Sequence, residues 1–272
     1  MQIGTNSMAQ MAVRAIHSAD AAVATSSERI STGLRVNSAA DDPAGLVQAN
    51  RLKTQIHSMT KAIDNVAQGG AMVQVVDGAL SQISNVLADM YTLAQYNASS
   101  TKYTDLMSSY VSQIDSISKN ALWNGASLMY GESTATTEDT VIQAGPGSGN
   151  TISITFDQTD STSLSLHGSD ITDSTKATAT ATAIANAQDT VSAYQSYMGA
   201  MANVMTYQSD ALTSVSTAYS SAYGHTMNAD LAQETANLAA AQIRRDGATA
   251  MLTQANGLNK EIVAFLLKSA IA

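Results

Sequence analysis

Apolar residues recur at steps of three and four along most of the chain, and this period predicts amphipathic helices with one buried face. The first stripe is thin, mostly alanine, and stops at Gly33: Met8, Ala12, Ala15, Ala19, Val23, Ser26 and Ile30. The second is a heptad seam that slips by one residue after Val73. Its members are Ala49, Leu52, Ile56, Met59, Ile63, Val66, Gly70, Val73, Val76, Leu80, Ile83, Leu87, Met90 and Ala94. The seam predicts one helix from Pro43 to about Tyr96.

A similar pattern in the second half predicts a helical partner for this seam. It runs from Ala183 to about Ser221, breaks near "AYGHT" (222–226), and precedes an alanine-rich helix from Met227 to about Leu267. The stripe of that last helix includes Leu231, Leu238, Leu252 and Val263. A helix of roughly 50 residues is ~75 Å long, whereas a compact chain of this length has a radius of gyration of about 19 Å. We therefore expect a mainly α fold, an elongated antiparallel coiled-coil helical bundle formed by the N- and C-terminal halves.

The middle of the chain has a different pattern. After a break at residues 97–102, a shorter stripe predicts a third helix through Tyr103, Leu106, Tyr110, Ile114 and Ile117. This helix ends before Asn124 and Gly125, a dipeptide typical of a tight β-hairpin. Three alternating segments, "TVIQAG", "TISITF" and "TSLSLHG", then predict short strands. The sequence thus indicates a small β-rich insertion at residues 131–173.

The adjacent carboxylates of Asp41 and Asp42 have three interpretations: a catalytic dyad, a metal site or the start of a helix. They precede Pro43, which suits a first helical position, and negative charge is favourable at the positive end of the helix dipole. A hydrolytic dyad needs two carboxylates held apart across a cleft, and sequence neighbours at a helix start rarely meet that condition. We interpret the pair as a helix start.

Other candidate chemistry is sparse. The histidines lack the spacing of a zinc site, and the acidic residues near the predicted strands lack the spacing of a calcium loop. These residues are His17, His57, His167, His225, Asp157, Asp160, Asp170 and Asp173. An insertion of about 40 residues without a convergent catalytic set is too small to carry an enzyme. We expect a protein that is not an enzyme and has no cofactor and no metal site.

Composition excludes several classes of partner. A formal net charge of −9 disfavours nucleic acid, and the absence of cysteine excludes disulfides and thiolate metal sites. No stretch approaches the ~20 apolar residues that a membrane helix needs, so we expect no membrane partner. The first residues lack the pattern of a secretory signal, so export would need another route.

Aromatic residues make up only 5% of the chain, and nearly all lie in its middle. The terminal helices therefore bury too little apolar area to offset about 1–2 kcal/mol of backbone entropy per residue. We expect both ends to be disordered in the free chain and to fold against each other and against neighbouring copies.

Three stretches together resemble the conserved ends of bacterial flagellins. They are "ERISTGLRVNSAADDPAGL" (28–46), "ANRLKTQIHSMTKAIDNVAQGGAMVQVVDGALSQISNVL" (49–87) and "LAQETANLAAAQIRRDGATAMLTQAN" (231–256). The resemblance implies a secreted subunit that self-assembles into the helical filament used for swimming motility. It implies an inner-tube domain (1–41 and 224–272), an outer-tube domain (42–130 and 174–223) and a variable surface insertion (131–173). The implied partners are other copies, the flagellar export apparatus, filament cap and junction proteins, and an export chaperone.

The resemblance also suggests roles for particular residues. We expect inner-tube assembly contacts from the terminal stripes, at Ile16, Val23, Leu252, Ile262 and Leu266. The junction between the two tubes is expected at Arg35, Asn37, Asp41, Asp42 and Pro43. Arg244 and Arg245 would suit either a nucleic-acid patch or ion pairs between subunits, and the acidic chain favours ion pairs.

The chain departs from the family pattern in three places. Flagellins recognised by an innate-immune receptor typically carry an Arg-Glu pair followed by Leu-Ala, and the matching positions here are Tyr91, Thr92, Leu93 and Ala94, one turn after Leu87. We expect weak recognition because the arginine is missing. The second departure is "KSAIA", which follows the Leu266–Leu267 pair, and the third is the short insertion.

Two alternative functions stay open, a hook-filament junction protein and an adhesin that binds through its strands. The Ser/Thr-rich insertion is a candidate for O-linked glycans.

Overall fold

The computed structural model describes residues 6–96, 101–130 and 140–271, without the side chains of residues 101, 259, 262 and 265–271. This part of the chain contains five helices and two small sheets. The helices are α1 (Ser7–Thr32), α2 (Pro43–Gln95), α3 (Thr101–Asn120), α4 (Ser174–Met227) and α5 (Leu231–Ile271). The strands are β1 (Leu122–Trp123), β2 (Ala126–Ser127), β3 (Thr140–Gln143) and β4 (Thr151–Ile154). The prediction of a mainly α fold with a small β-rich insertion is confirmed.

The chain divides into two compact units, Met1–Thr54 with Tyr219–Ala272, and Gln55–Ala218. In the first unit α1 and α5 pack side by side, and contacts near their ends show that they run antiparallel. Small buried side chains recur every seven residues on both helices: Ala12, Ala19 and Ser26 on α1, and Ala241, Ala248 and Ala255 on α5. Small side chains let two helix backbones approach closely along such a stripe.

The predicted stripe of α5 is therefore wrong in detail. Leu231 and Val263 are exposed, whereas Leu238 and Leu252 are only half-buried. Among the described side chains of α5, the buried ones are Ala241, Ala248, Ala255 and the ion-paired Glu234, and the leucines of the predicted stripe are not among them.

The core of the second unit follows the long seam. The α2 side of this core includes Val66, Val73, Val76, Leu80, Ile83, Leu87 and Met90, and the α4 side includes Ile184, Val191, Tyr194, Met198, Met205 and Leu212. Helix α3 contributes Met107, Ile114 and Ser118. Tyr103 and Leu106 at the start of the predicted α3 stripe are exposed instead, so the buried face is displaced by one residue there.

The bounds of α4 and α5 correct the sequence prediction. Helix α4 begins at Ser174, nine residues before Ala183, because Asp173 Oδ1 accepts a hydrogen bond from Lys176 N (2.9 Å) and caps the first turn. It continues through "AYGHT" to Met227 without the expected break. Helix α5 begins at Leu231 rather than Met227, where Asp230 Oδ1 accepts from the N–H groups of Ala232 and Gln233.

The middle of the chain confirms one hairpin and corrects a strand. Asn124 (φ 50°) and Gly125 (φ 84°) form the turn between β1 and β2, where both residues need positive φ. Strands β3 and β4 pair antiparallel with Thr140 opposite Ile154. The third predicted strand, "TSLSLHG" (162–168), is a series of turns instead.

Hydrogen bonds to Asp160 explain why residues 162–168 form turns rather than a strand. Its Oδ1 accepts from Ser163 N (3.1 Å) and its carbonyl accepts from Leu164 N (3.0 Å), which curls the segment. Leu164 and Leu166 are both buried as a result. Residues 131–139 of the predicted insertion and residues 97–100 of the predicted break lie outside the described residues.

Candidate functional site

The first candidate region is the connection between α1 and α2, which we call the junction (residues 33–43). Helix α1 ends at Gly33, whose φ of 71° places it in the left-handed region that glycine adopts without strain. The chain then pairs with the residues between α4 and α5 through Arg35 N to Met227 O (2.6 Å) and Ala229 N to Gly33 O (3.0 Å). The guanidinium of Arg35 adds a hydrogen bond to Thr226 O at 2.8 Å. The same unit thus ties its two interhelical connections together.

The two neighbouring carboxylates have different tasks in the junction. Asp41 Oδ2 accepts from Ser38 N (2.8 Å), Ser38 Oγ (3.0 Å) and Asn37 N (3.1 Å), and the Ser38 and Asn37 hydrogen bonds lower the pKa of Asp41. Asp42 Oδ1 accepts from Gly45 N (2.9 Å) and so caps α2, with Pro43 as its first residue. The predicted helix start is confirmed at Pro43 with Asp42 as its cap, whereas Asp41 stabilises the preceding turn instead.

Beneath the junction lies a small apolar cluster that the sequence analysis missed. Val36, Ala49 and Met227 are buried, and Leu34, Leu46 and Tyr223 pack around them. The available signal was Leu34 and Val36, two apolar residues with branched side chains in a connector of small and polar residues. The cluster gives the junction a hydrophobic anchor on both α2 and the end of α4.

An ion pair that no local sequence pattern predicts joins α1 to α5. Arg29 Nη1 lies 3.1 Å from Glu234 Oε1, and the side chain of Glu234 is 9% exposed. Burial raises the pKa of Glu234. The polar groups of Ser26 and Arg29 beside the carboxylate lower this pKa by a larger amount, so the net shift is downward. Removing one member of a buried pair leaves the other charge without compensation.

The second candidate region is a set of large apolar side chains on α1 and α5 that stay exposed beside the buried small-residue stripe. We call it the outward face, and its most exposed members are Met8 (56%), Met11 (64%), Leu231 (52%), Ile243 (72%) and Met251 (63%). Isolated exposed apolar residues are common, but several on one helix pair mark an interaction surface. Periodicity placed Met8 and Leu231 in the predicted stripes but did not single out Met11, Ile243 or Met251.

The expected assembly residues have a less exposed position. Ile16, Val23 and Leu252 are half-buried, while the side chains of Ile262 and Leu266 lie outside those that the structure describes. Arg244 is exposed and its Nε donates to Ala240 O (3.2 Å) of its own helix, and Arg245 lies 3.4 Å from its neighbour Asp246. An exposed pair of this kind contributes little stability, so both guanidinium groups are available to other molecules.

The stretch in which the resemblance places the immune-receptor region divides between core and solvent. Leu87, Leu93 and Ala94 are buried, whereas Tyr91 is 37% exposed. Thr92 Oγ1 donates to carbonyl groups of its own helix. Only Tyr91 and Thr92 therefore present this stretch to a binding partner.

Two further properties concern the described residues alone. Within residues 6–96, 101–130 and 140–271, no three His, Cys, Asp or Glu side chains are grouped to hold a metal ion. In the same part of the chain, no helix has the length and hydropathy to cross a lipid bilayer.

Comparison of the sequence with protein-family models and with known proteins identifies the family to which the chain is similar. The family model for the bacterial flagellin N-terminal helical region matches residues 3–134, and the model for the C-terminal helical region matches residues 181–266. A flagellin of Halalkalibacterium halodurans is 30% identical over 239 residues, which cover 84% of this chain and 86% of that protein. A flagellin of Salmonella typhimurium is 33% identical over 195 residues, 69% of this chain but only 38% of that protein.

Helices from both ends of one chain, a tied junction and an exposed apolar face are features of structural proteins that associate through helices. The chain belongs to the bacterial flagellin family. Flagellins are structural proteins of the extracellular flagellar filament. The matched region spans well under half the length of the Salmonella relative, which is the longer protein.

Proposed function

We propose that this chain polymerises into a flagellar filament outside the cell and serves swimming motility. The observation that carries the proposal is the outward face. The interface between α1 and α5 is already filled by small side chains, so Met11, Ile243 and Met251 have no partner within that helix pair and remain in water. Covering such side chains with a second copy is favourable by about 25 cal/mol per Å² of apolar area.

The mode of association is heterologous. One surface of a subunit binds a different surface of the next copy, and such contacts generate an open helical assembly when the rotation does not close a ring. In this proposal residues 1–41 and 224–272 form the inner tube, 42–130 and 174–223 the outer tube, and 131–173 the surface insertion. Ile16, Val23, Leu252, Ile262 and Leu266 extend the assembly contacts, and Arg244 and Arg245 form ion pairs with neighbouring subunits.

The junction has a positioning role in this proposal. Arg35, Asn37, Asp41, Asp42 and Pro43 fix the direction in which the chain leaves α1, supported by the hydrogen bonds of Arg35 and Asp41. A fixed direction is required because every copy must present its helices to its neighbours at the same angle.

The test is polymerisation of the purified full chain, compared with a variant that lacks residues 1–38 and 228–272. We expect long filaments from the full chain by negative-stain electron microscopy and a folded monomer from the truncated variant by circular dichroism. Filaments from the truncated variant would overturn the mechanism. Short caps or rings from the full chain would instead favour a hook-filament junction protein.

The further partners follow from the same proposal. A filament subunit needs the flagellar export apparatus, an export chaperone, and cap and junction proteins, and its insertion is a candidate carrier of O-linked glycans. Intact mass spectrometry of protein from native filaments tests the glycans, because the unmodified chain has a mass of 28.2 kDa. A native mass equal to that value would exclude them.

A further inference from the structure

An open groove of about 500 Å³ lies in the second unit, between α4 and the segment that follows β4. Thr190, Tyr194 and Tyr197 line it from α4, and Asp157 and Thr159 line it from the opposite side. A volume of this size is within the range of small-molecule sites. None of the lining residues belongs to α1 or α5, the helices that carry the assembly contacts named above.

Two stacked tyrosines form the aromatic side of the groove. The rings of Tyr194 and Tyr197 have centroids 6.3 Å apart and an interplanar angle of 11°. Tyr194 is buried and only 5% exposed, whereas Tyr197 is 36% exposed. Each hydroxyl accepts a backbone hydrogen bond from the opposite segment, from Asp157 N to Tyr194 and from Thr155 N to Tyr197 (3.3 Å). The rings are therefore held in place before any ligand arrives.

The opposite side of the groove is also fixed. Thr159 N donates to Met129 O (3.0 Å), and Ser118 Oγ on α3 donates to Thr159 O (2.9 Å). Ser161 N donates to Asp115 Oδ1 at 2.8 Å. The segment is thus anchored to α3 as well as to α4, and such preorganisation lowers the entropy cost of binding.

The buried hydroxyl of Thr159 in the groove lacks a hydrogen-bond partner among the described residues, which is unusual in a folded protein. Thr159 is 2% exposed. Most buried hydroxyl groups are paired, and one that is not calls for an explanation such as a missing ligand or water. The carboxylate of Asp157, on an exposed residue, supplies acceptors at the same groove.

We propose that this groove binds a neutral carbohydrate. The exposed ring of Tyr197 can pack against the C–H face of a pyranose, because that face is apolar while the sugar's rim is polar. The carboxylate of Asp157 accepts hydrogen bonds from sugar hydroxyls, and the hydroxyl of Thr190 has lone pairs for another. Among the described residues that line the groove there is no cationic side chain, and a carboxylate repels an anion. The lining has only one aliphatic side chain, Ala193, which is too little to hold a lipid tail.

The test is saturation-transfer difference NMR on the full-length monomer with maltose, cellobiose, lactose and N,N′-diacetylchitobiose as probes. We expect at least one disaccharide to receive saturation, and titration of that disaccharide then gives its Kd. Tyr197→Ala should weaken binding about tenfold because the stacking face is lost. Asp157→Asn should weaken it as well, and this variant keeps the backbone hydrogen bond to Tyr194 and the size of the side chain.

The matched control is Tyr207→Ala, which removes a tyrosine from the same helix at a position that is 73% exposed and lies outside the groove. Its Kd should equal that of the unaltered chain, and circular dichroism should give the same helix content for all variants. The proposal is overturned if none of the disaccharides binds, or if Tyr197→Ala and Asp157→Asn both bind like the control. Binding by monomer does not depend on polymerisation, so this test and the filament test fail independently.

Discussion

Replacing Ile243 with lysine tests the role of the outward face in assembly. The side chain of Ile243 is 72% exposed in the free subunit, so nearly three quarters of it is available for burial by a neighbour. Full burial of an isoleucine contributes about 1.5–3 kcal/mol, so burial of the exposed fraction of Ile243 by a neighbouring subunit contributes roughly 2 kcal/mol to association. We expect the substitution to raise the critical concentration for polymerisation about 30-fold, because each factor of ten corresponds to about 1.4 kcal/mol.

The assay is sedimentation of polymer from solutions of increasing subunit concentration, in which the critical concentration is the amount left in the supernatant. The control is Gln242→Lys, which adds the same charge at the adjacent exposed position of α5 without removing an apolar side chain. Because both positions are exposed, neither variant should lose helix content. Equal critical concentrations for Ile243→Lys and the unaltered chain would refute the assignment of this face to assembly.

Three other perturbations test particular contacts. A Cβ on Gly69 would clash with Cδ1 of the buried Ile142, whereas a Cβ on Gly78 would meet open space. Both Gly→Ala changes gain about 1 kcal/mol of helix propensity, but overpacking of about 1–3 kcal/mol opposes that gain at Gly69, so Gly69→Ala should have the lower Tm. Calorimetry giving both variants the same Tm would contradict this. The folded-state pKa of Glu234 is lowered, so its contribution to stability is present above its unfolded-state pKa and is lost as pH falls through the folded-state value. Glu234→Gln should therefore flatten the dependence of Tm on acid pH, and an unchanged slope would count against the ion pair. Tyr91 stands where the resemblance predicts an arginine, so we expect the monomer to activate the innate-immune receptor weakly in a reporter assay, and full activation would contradict this prediction.

The helices could be predicted because their periodicity is long and local. The seam from Ala49 to Ala94 gave α2 within a residue of its observed end at Gln95, and the Asn124–Gly125 turn followed from the φ angles that the hairpin demands. The strand predicted at residues 162–168 failed because alternating apolar residues also suit a capped turn that buries both leucines.

The candidate site was harder to predict from the sequence because it depends on distant pairs. Periodicity marks a stripe but does not say how close its partner lies, and the alanines of α1 and α5 shifted the buried face away from the leucines. The pair of Arg29 and Glu234 joins residues that are 205 positions apart, and no local pattern connects them. The bonds between Arg35 and the end of α4 are of the same kind.

Small side chains recur every seven residues on α1 and α5, so this repeat alone allows more than one register between the two helices. A slide of one heptad along the axis would set alanine beside alanine again, with little change in packing. Two polar links near opposite ends of α1 remove this ambiguity, the bond from Asn6 Nδ2 to Ala255 O (3.0 Å) and the pair of Arg29 with Glu234. Polar contacts of this kind select one register among equivalent ones, so these few atoms determine the length of the paired rod that each molecule presents.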